Sequence, residues 1–184
     1  LFIFYFIGRR VYNNMNLSNT PFVKKKFVEP GFFTWENFNE VLKKCPHNFV
    51  ETIGPKGDKH PGIKYINQYT FIISKSKELW DFSFIRNKVK KYKWLEEYIK
   101  HNKWDVHIYG CRKGDERSFP RHNDRAHNFI VQAEGQCRWI VDGLGENILS
   151  PGDMISIPYL CYHECIPLGK RLSVSLPFWK EGIQ

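Results

Sequence analysis

Long apolar runs, paired cysteines and internal repeats are all missing from this chain of 184 residues. No stretch approaches the roughly 20 consecutive apolar residues that cross a bilayer as a helix, so no membrane partner is expected. The apolar start, Leu1 to Ile7, is followed by Arg9 and Arg10. A secretory signal carries its charges first, so the segment does not read as one. Met15 then precedes ordinary domain sequence. Residues 1–14 are expected to be an upstream or poorly ordered segment, with a short strand as the alternative. The cysteines (Cys45, Cys111, Cys137, Cys161 and Cys165) are odd in number and form no C-x-x-C pair. That argues against the disulfide framework of a small secreted domain and for reduced thiols in the cytoplasm. Cys161 and Cys165 flank His163, where a thiolate metal site is conceivable. Small packing residues are the reading adopted.

Acidic residues are also in short supply. There are 19 Asp and Glu against 28 Lys and Arg, a net charge of +9. Such a surface suits anionic partners: nucleic acid, an acidic protein or an anionic small molecule. A merely solvated basic surface is the alternative. Apolar mass, by contrast, is plentiful. Hydrophobic residues make up 42% and aromatics 16% of the chain. That excludes disorder and suffices for one domain core.

Along the chain, Pro30-Gly31 breaks the backbone before a helix that Thr34 caps, with Glu36 in its first turn. Trp35, Phe38, Val41, Leu42 and Cys45 recur at helical spacing, and Pro46 ends the run. Residues 48–53 and 65–73 read as strands, separated by a Gly-, Pro- and Lys-rich loop over 54–62. Residues 77–101 read as a helix. Phe82, Ile85, Val89, Tyr92, Leu95 and Ile99 form its apolar stripe, with Arg86, Lys88, Lys90, Lys91 and Lys93 opposite. That basic face is read as solvated, with phosphate binding as the alternative. From Trp104 the texture changes to short strands, expected at 106–111, 128–133, 138–142, 154–158 and 172–176, with Gly-rich turns between. Such spacing predicts a small barrel or double-sheet jelly roll. Helices first and barrel second give an α+β plan with N-terminal helices packed outside the barrel.

The chemistry concentrates in that second part. His122 and Asp124 are two apart, and alternate residues of a strand share a face. A later His163 can complete a set of two imidazoles and one carboxylate, which leaves positions open on a metal and is diagnostic for non-haem Fe(II) oxygenases. On the same alternation Asn128, Ile130 and Gln132 share the face, while His127 falls on the other and is kept only as a substitute ligand if the strand is bulged.

The block from Ser118 to Trp139, SFPRHNDRAHNFIVQAEGQCRW, resembles the metal-binding strand pair of the cupin superfamily. More narrowly it is similar to the JmjC-type Fe(II)/2-oxoglutarate oxygenases, above all the branch of the asparaginyl hydroxylase that acts on hypoxia-inducible factor. The shared pattern is H-x-D, then Asn-Phe at 128 and 129, then Gln132 and Gly135. The block LSPGDMISIPYLCYHECIPLGKRLSVSLPFWKEG resembles the second cupin motif, with its Pro-Gly-Asp turn and distal His163. The likeness covers about residues 104–182 as a metal-binding core, inside one cupin-like domain over 15–184.

It implies a double-stranded β-helix, and Fe(II) on His122, Asp124 and His163 as the catalytic residues. Asn128 would lie near the co-substrate 2-oxoglutarate, and Ser175 would face inward. The fourth ligand of many other cupins, a Glu, is absent: Asn128 and Phe129 stand there. Two departures bear on the co-substrate. Cys137 occupies the place of the Lys that anchors its distal carboxylate, and Phe119 that of a small hydroxyl residue. A buried carboxylate needs a compensating cation. Arg171, on the strand after His163 and in phase with Ser173 and Ser175, is the expected stand-in, because a guanidinium fork matches a carboxylate. Its alternative role is pairing with a surface acid. Tyr109 is a further candidate donor to that carboxylate, or else a packing aromatic. Arg138 is expected to point out of the barrel. Trp139, Phe178 and Trp179 are read as packing residues.

Three functions are carried forward. The first is an Fe(II)/2-oxoglutarate-dependent dioxygenase, a hydroxylase of a protein side chain or other substrate. The second is a metal cupin that does not use 2-oxoglutarate, which Cys137 and Phe119 favour. The third is a non-catalytic basic module for an anionic ligand or nucleic acid.

Overall fold

The computed structural model describes residues 20–54, 56–89, 100, 103–113 and 118–179. The expectations for residues 1–14, for residues 90–99 of the 77–101 helix with Lys90, Lys91 and Lys93 of its basic face, and for the Gly114-Asp115 turn lie outside them.

Thr34 caps helix α1 (Trp35–Lys44) as its sequence requires. Its hydroxyl accepts from the Asn37 backbone N–H, and the Asn37 side chain accepts from the Thr34 N–H, closing a capping box. Helix α2 is Ser83–Val89. The strands are β1 (Phe22–Lys24), β2 (Val50–Ile53), β3 (Lys59–Pro61), β4 (Thr70–Ile73), β5 (Lys103–Trp104), β6 (His107–Cys111) and β7 (Phe119–His122). They continue with β8 (His127–Glu134), β9 (Cys137–Val141), β10 (Gly145–Leu149), β11 (Met154–Ile157), β12 (His163–Pro167) and β13 (Arg171–Trp179).

Among the described residues they form two antiparallel sheets. One runs β1-β11-β8-β13-β6-β4-β2-β3, with β5 also on β13; the other runs β10-β9-β12-β7. The sheets face each other as a jelly roll. Ile130, Ile155 and Ile157 from the large sheet pack against Cys137, Trp139, Val141, Leu149 and Cys165 from the small one.

Alternation separates this inner core from an outer one. On β13, Leu172, Val174, Leu176 and Phe178 point outward to a second cluster that holds Phe33, Phe38 and Val41 of the α1 region and Ile85 of α2. Arg171, Ser173 and Ser175 alternate with them. All eight residues from Arg171 to Phe178 are buried, because β13 is covered on both faces. Gly110 is where α1 meets the sheet. A Cβ there would collide with the Phe71 ring, which stacks on Phe38 with centroids 4.8 Å apart. Gly135 turns β8 into β9 at φ +67°, where any Cβ would meet the Lys170 carbonyl oxygen.

Four expectations change. The run expected to be helical from residue 77 starts as a 3-10 turn (Ser76–Glu78), leaves helical form over 79–82, and becomes α-helix only at Ser83, where Asp81 accepts from the Ser83 N–H. Residues 65–69 form turns, so only Thr70–Ile73 of the aromatic run 65–73 is strand. Tyr65 and Tyr69 pack on His60 instead, with centroids 4.9 and 5.9 Å away. The run from His122 to Gln132 is not one strand but two, β7 and β8, in different sheets. The β10 and β12 strands were not expected; their half-polar sequences pair through β9.

Phe38 is fully buried. Phe38→Ala should lower the unfolding free energy by about 3–5 kcal/mol, as for a large aromatic removed from a packed core. Urea denaturation checks this; a loss below 1 kcal/mol would mean that α1 is not integral to the outer core.

Candidate metal centre and its cavity

The site is assembled where the small sheet's edge strand meets β12. His122 ends β7, and its register partner on β12 is His163. Their ring centroids are 4.4 Å apart. Asp124 follows β7 in the connecting loop, not on a strand as alternation had placed it. A backbone bond fixes that loop: the Leu160 N–H donates to the Asp124 carbonyl at 2.9 Å. The carboxylate then reaches both rings. Oδ1 is 3.7 Å from His122 Nε2, and Oδ2 is 3.6 Å from His163 Nε2. One ligand atom from each of the three residues lies within 4.8 Å of the others.

The donor set fits a divalent metal. His122 Nδ1 lies 2.9 Å from the Pro120 carbonyl oxygen and His163 Nδ1 lies 2.9 Å from that of Cys161. A carbonyl only accepts, so each Nδ1 carries a proton and each ring turns its Nε2 toward the carboxylate, where a metal would take the Nε2 lone pair. This is the tautomer that metal ligands need. Burial lowers the His163 pKa, helped by the nearby His122, against the Cys161 carbonyl hydrogen bond and the Asp124 charge, which raise it. Asn128, at the start of β8, donates from Nδ2 to Asp124 Oδ2 at 2.6 Å. Its amide therefore orients the carboxylate as well as lining the cavity.

That cavity has a volume of about 340 Å³. Tyr109, Asn128, Arg171 and the three candidate ligands all line it, as the sequence expected. Ser175 is not among the lining residues; its buried hydroxyl has no hydrogen-bond partner. Phe119 lines the wall in place of the family's hydroxyl and packs edge-on against Tyr109 at 6.1 Å. The Tyr109 phenol is held protonated by burial and by the Asp124 charge, its pKa raised far above the ordinary tyrosine value. Arg138 leaves the barrel toward Glu146, 3.7 Å away.

Arg171 is 1% exposed, and no carboxylate pairs with it among the described residues. Hydroxyls hold it. Nη1 donates to Ser173 Oγ at 3.1 Å and Nη2 to Ser118 Oγ at 2.7 Å, while Nε has no partner. Ser173 in turn donates to Gln132 Oε1 at 2.8 Å, and Gln132 Nε2 donates to the Glu134 and Leu172 carbonyls. Thr70 Oγ1 donates to Ser118 Oγ at 3.4 Å. The neighbouring Cys137 thiol is pulled down to about 7, first by a hydrogen bond from Cys165 and then, against burial, by the Arg171 charge.

The sequence had not singled out Ser118 or Thr70. Nor had it singled out Gly57, Lys59 and Ile72, which bring the N-terminal strands to the cavity. Only the β4–β6 pairing, which sets β4 beside the barrel, makes them part of the site.

His127 lies on the outer face, as alternation predicted. Its Nε2 is 2.8 Å from Ser156 Oγ, and its ring stacks on Phe129 at 4.6 Å. It is not a ligand.

No protein-family model matches the chain, and no curated protein matches it. Solved structures do. The ribosomal oxygenase YcfD from Escherichia coli, in complex with cobalt and 2-oxoglutarate, matches with a TM-score of 0.58 at 17% identity, over 86% of this chain and 47% of that one. Its complex with cobalt and succinic acid gives 0.60 at 17% identity over the same shares. The fold shared with these structures is the double-sheet jelly roll described above. The likeness is one of fold, and this chain spans about half the length of those proteins. Among the described residues, no helix is long and apolar enough to cross a membrane.

Two outcomes follow from this geometry. Asn128→Ala should weaken Mn(II) binding by about 10- to 100-fold, because losing the group that orients a ligand has that scale of effect. Calorimetric titration measures it, and unchanged affinity would remove Asn128 from the site. The second concerns pH. Burial lowers the His127 pKa from 6.5 to about 4 in the fold, whereas the unfolded chain keeps the higher value. The neutral ring's contribution is complete above pH 6.5 and is lost as pH falls toward 4, by up to about 3 kcal/mol. His127→Gln should flatten that part of the stability curve in urea unfolding at pH 7 and 4.5; parallel declines would exclude the ring as its source.

Proposed function

We propose that this protein is an Fe(II)- and 2-oxoglutarate-dependent oxygenase that hydroxylates a protein side chain or another substrate. One observation carries the reading. One cavity has a two-His, one-carboxylate set on its wall and, on the same lining, a buried guanidinium that no acid of the described residues pairs with. A buried cation without a counter-charge is costly, and a ligand carboxylate removes that cost.

His122, Asp124 and His163 would hold the metal. When bound, Fe(II) with 2-oxoglutarate and O2 supplies oxidative decarboxylation of the oxo acid coupled to insertion of oxygen at a substrate C–H. The chain's own residues do the rest. Arg171, set by Ser118 and Ser173, would take the distal carboxylate in place of the family's Lys. Tyr109 would donate its phenolic proton to the same group. Phe119, Ile130 and Trp139 keep the wall apolar and exclude water. The substrate would enter past Gly57 and Lys59, and the net charge of +9 suits an anionic one. The E. coli oxygenase is described as ribosomal, which makes a protein or ribonucleoprotein substrate the first to try.

A second reading, a metal cupin that does not take 2-oxoglutarate, draws on Cys137, whose lowered thiol already lies within the electrostatic reach of Arg171.

The decisive assay is release of labelled succinate from 2-oxoglutarate. Wild type should release it only with Fe(II), and His122→Ala and Asp124→Ala should reduce release to background. Equal release by these variants would refute the oxygenase reading. Metal bound without any release would favour the second.

A further inference from the structure

Two buried donors line the cavity without satisfying their hydrogen-bonding capacity. Arg171 Nε belongs to the carboxylate anchor described above. The other is Trp139 Nε1, on a residue that the sequence had given to packing. Trp139 is 5% exposed and lines the cavity, and its indole N–H makes no hydrogen bond among the described residues. Phenylalanine would fill much of the same apolar wall without a polar atom to satisfy. What tryptophan adds is a donor, and an indole N–H can only donate. A buried donor left without an acceptor is unfavourable, and an oxygen brought into the cavity that Trp139 lines would relieve it.

The placement says which part of a ligand that is. Trp139 is the register partner of Cys165 on β12, and its ring centroid is 6.0 Å from that of His163. Two residues earlier on the same inward face, Cys137 lies beside Arg171. The indole therefore stands on the wall at the metal face, one inward step from the guanidinium along β9.

We propose that Trp139 is a ligand-positioning residue, whose Nε1–H donates to an oxygen at the metal-proximal end of the bound 2-oxo acid. This rests on the oxo-acid reading above and deepens it. Arg171 would hold one end of the diacid, and Trp139 would fix the other. Because the indole is neutral, it orients that end without altering the charge balance at the metal.

The test uses the full chain and 2-oxoglutarate itself, with Mn(II) in place of iron so that binding is read without turnover. In calorimetric titrations, Trp139→Phe should weaken 2-oxoglutarate by about tenfold, the loss of one hydrogen bond to a charged oxygen. Its Mn(II) affinity should match wild type, since the three ligands are untouched. Trp139→His, which restores a ring N–H, should recover part of the loss. In Zn(II)-loaded wild type, the indole ¹⁵N–¹H resonance that Trp139→Phe lacks should shift when 2-oxoglutarate is added; this measurement decides the matter if the variant does not fold. An unchanged 2-oxoglutarate affinity in a folded Trp139→Phe overturns the proposal, as does an unmoved indole resonance. If wild type with Mn(II) binds no 2-oxoglutarate, the oxo-acid reading fails and the indole role fails with it.

Discussion

A guanidinium inside a barrel is the constraint around which this structure is arranged. Moving such a charge out of water costs several kcal/mol unless other groups replace the lost hydration. Among the described residues Arg171 is given two hydroxyls, from Ser118 and Ser173, and no carboxylate. Those hydroxyls are themselves held, Ser173 by Gln132 and Ser118 by Thr70. Gln132 in turn closes on the backbone at the Gly135 turn, where a side chain could not fit. A partly satisfied polar network in a low-dielectric interior tolerates few changes. It positions the cation and leaves its charge available to a ligand.

The metal face depends on a different kind of restraint. Backbone pairing sets His122 opposite His163, and backbone carbonyls select the tautomer of both rings. Asp124 is free of the strand and is held by the Leu160 amide and by Asn128. Two elements of the small sheet, one loop and the first residues of β8 thus converge on one point. The cavity joins this face to Arg171 because the large sheet curls round to supply the opposite wall.

Much of this was legible in the residues. Thr34 and the apolar spacing after it defined α1, because a cap and a 3.6-residue period are local properties. The alternation along β13 put Arg171, Ser173 and Ser175 on one face, and that from His122 to Gln132 sent His127 to the opposite face from Asn128 and Ile130. The H-x-D, Pro-Gly-Asp and distal His pattern located the three candidate ligands. What failed had physical causes. The aromatic run at 65–73 has strand propensity throughout, but Tyr65 and Tyr69 are used to pack His60 at a turn. Alternation carried through Asp124 missed the break between β7 and β8, although Asn123 and Asp124, both turn formers, stand in it. Strands β10 and β12 are individually too polar or too short to stand out and exist through their pairing with β9.

The sequence by itself therefore determined the barrel class, the three candidate ligand positions and the presence of a cation in phase with the inner face. These follow from spacing and from side-chain alternation, which need no knowledge of distant contacts. Tertiary structure alone decided that Ser118 and Thr70 would reach Arg171, that Ser175 would stay off the cavity, and that Gly57, Lys59 and Ile72 would line it. It also turned Trp139 from a packing residue into a cavity donor. Each of these depends on which strands become neighbours and in what register, and that is fixed by burying both faces of β13 at once.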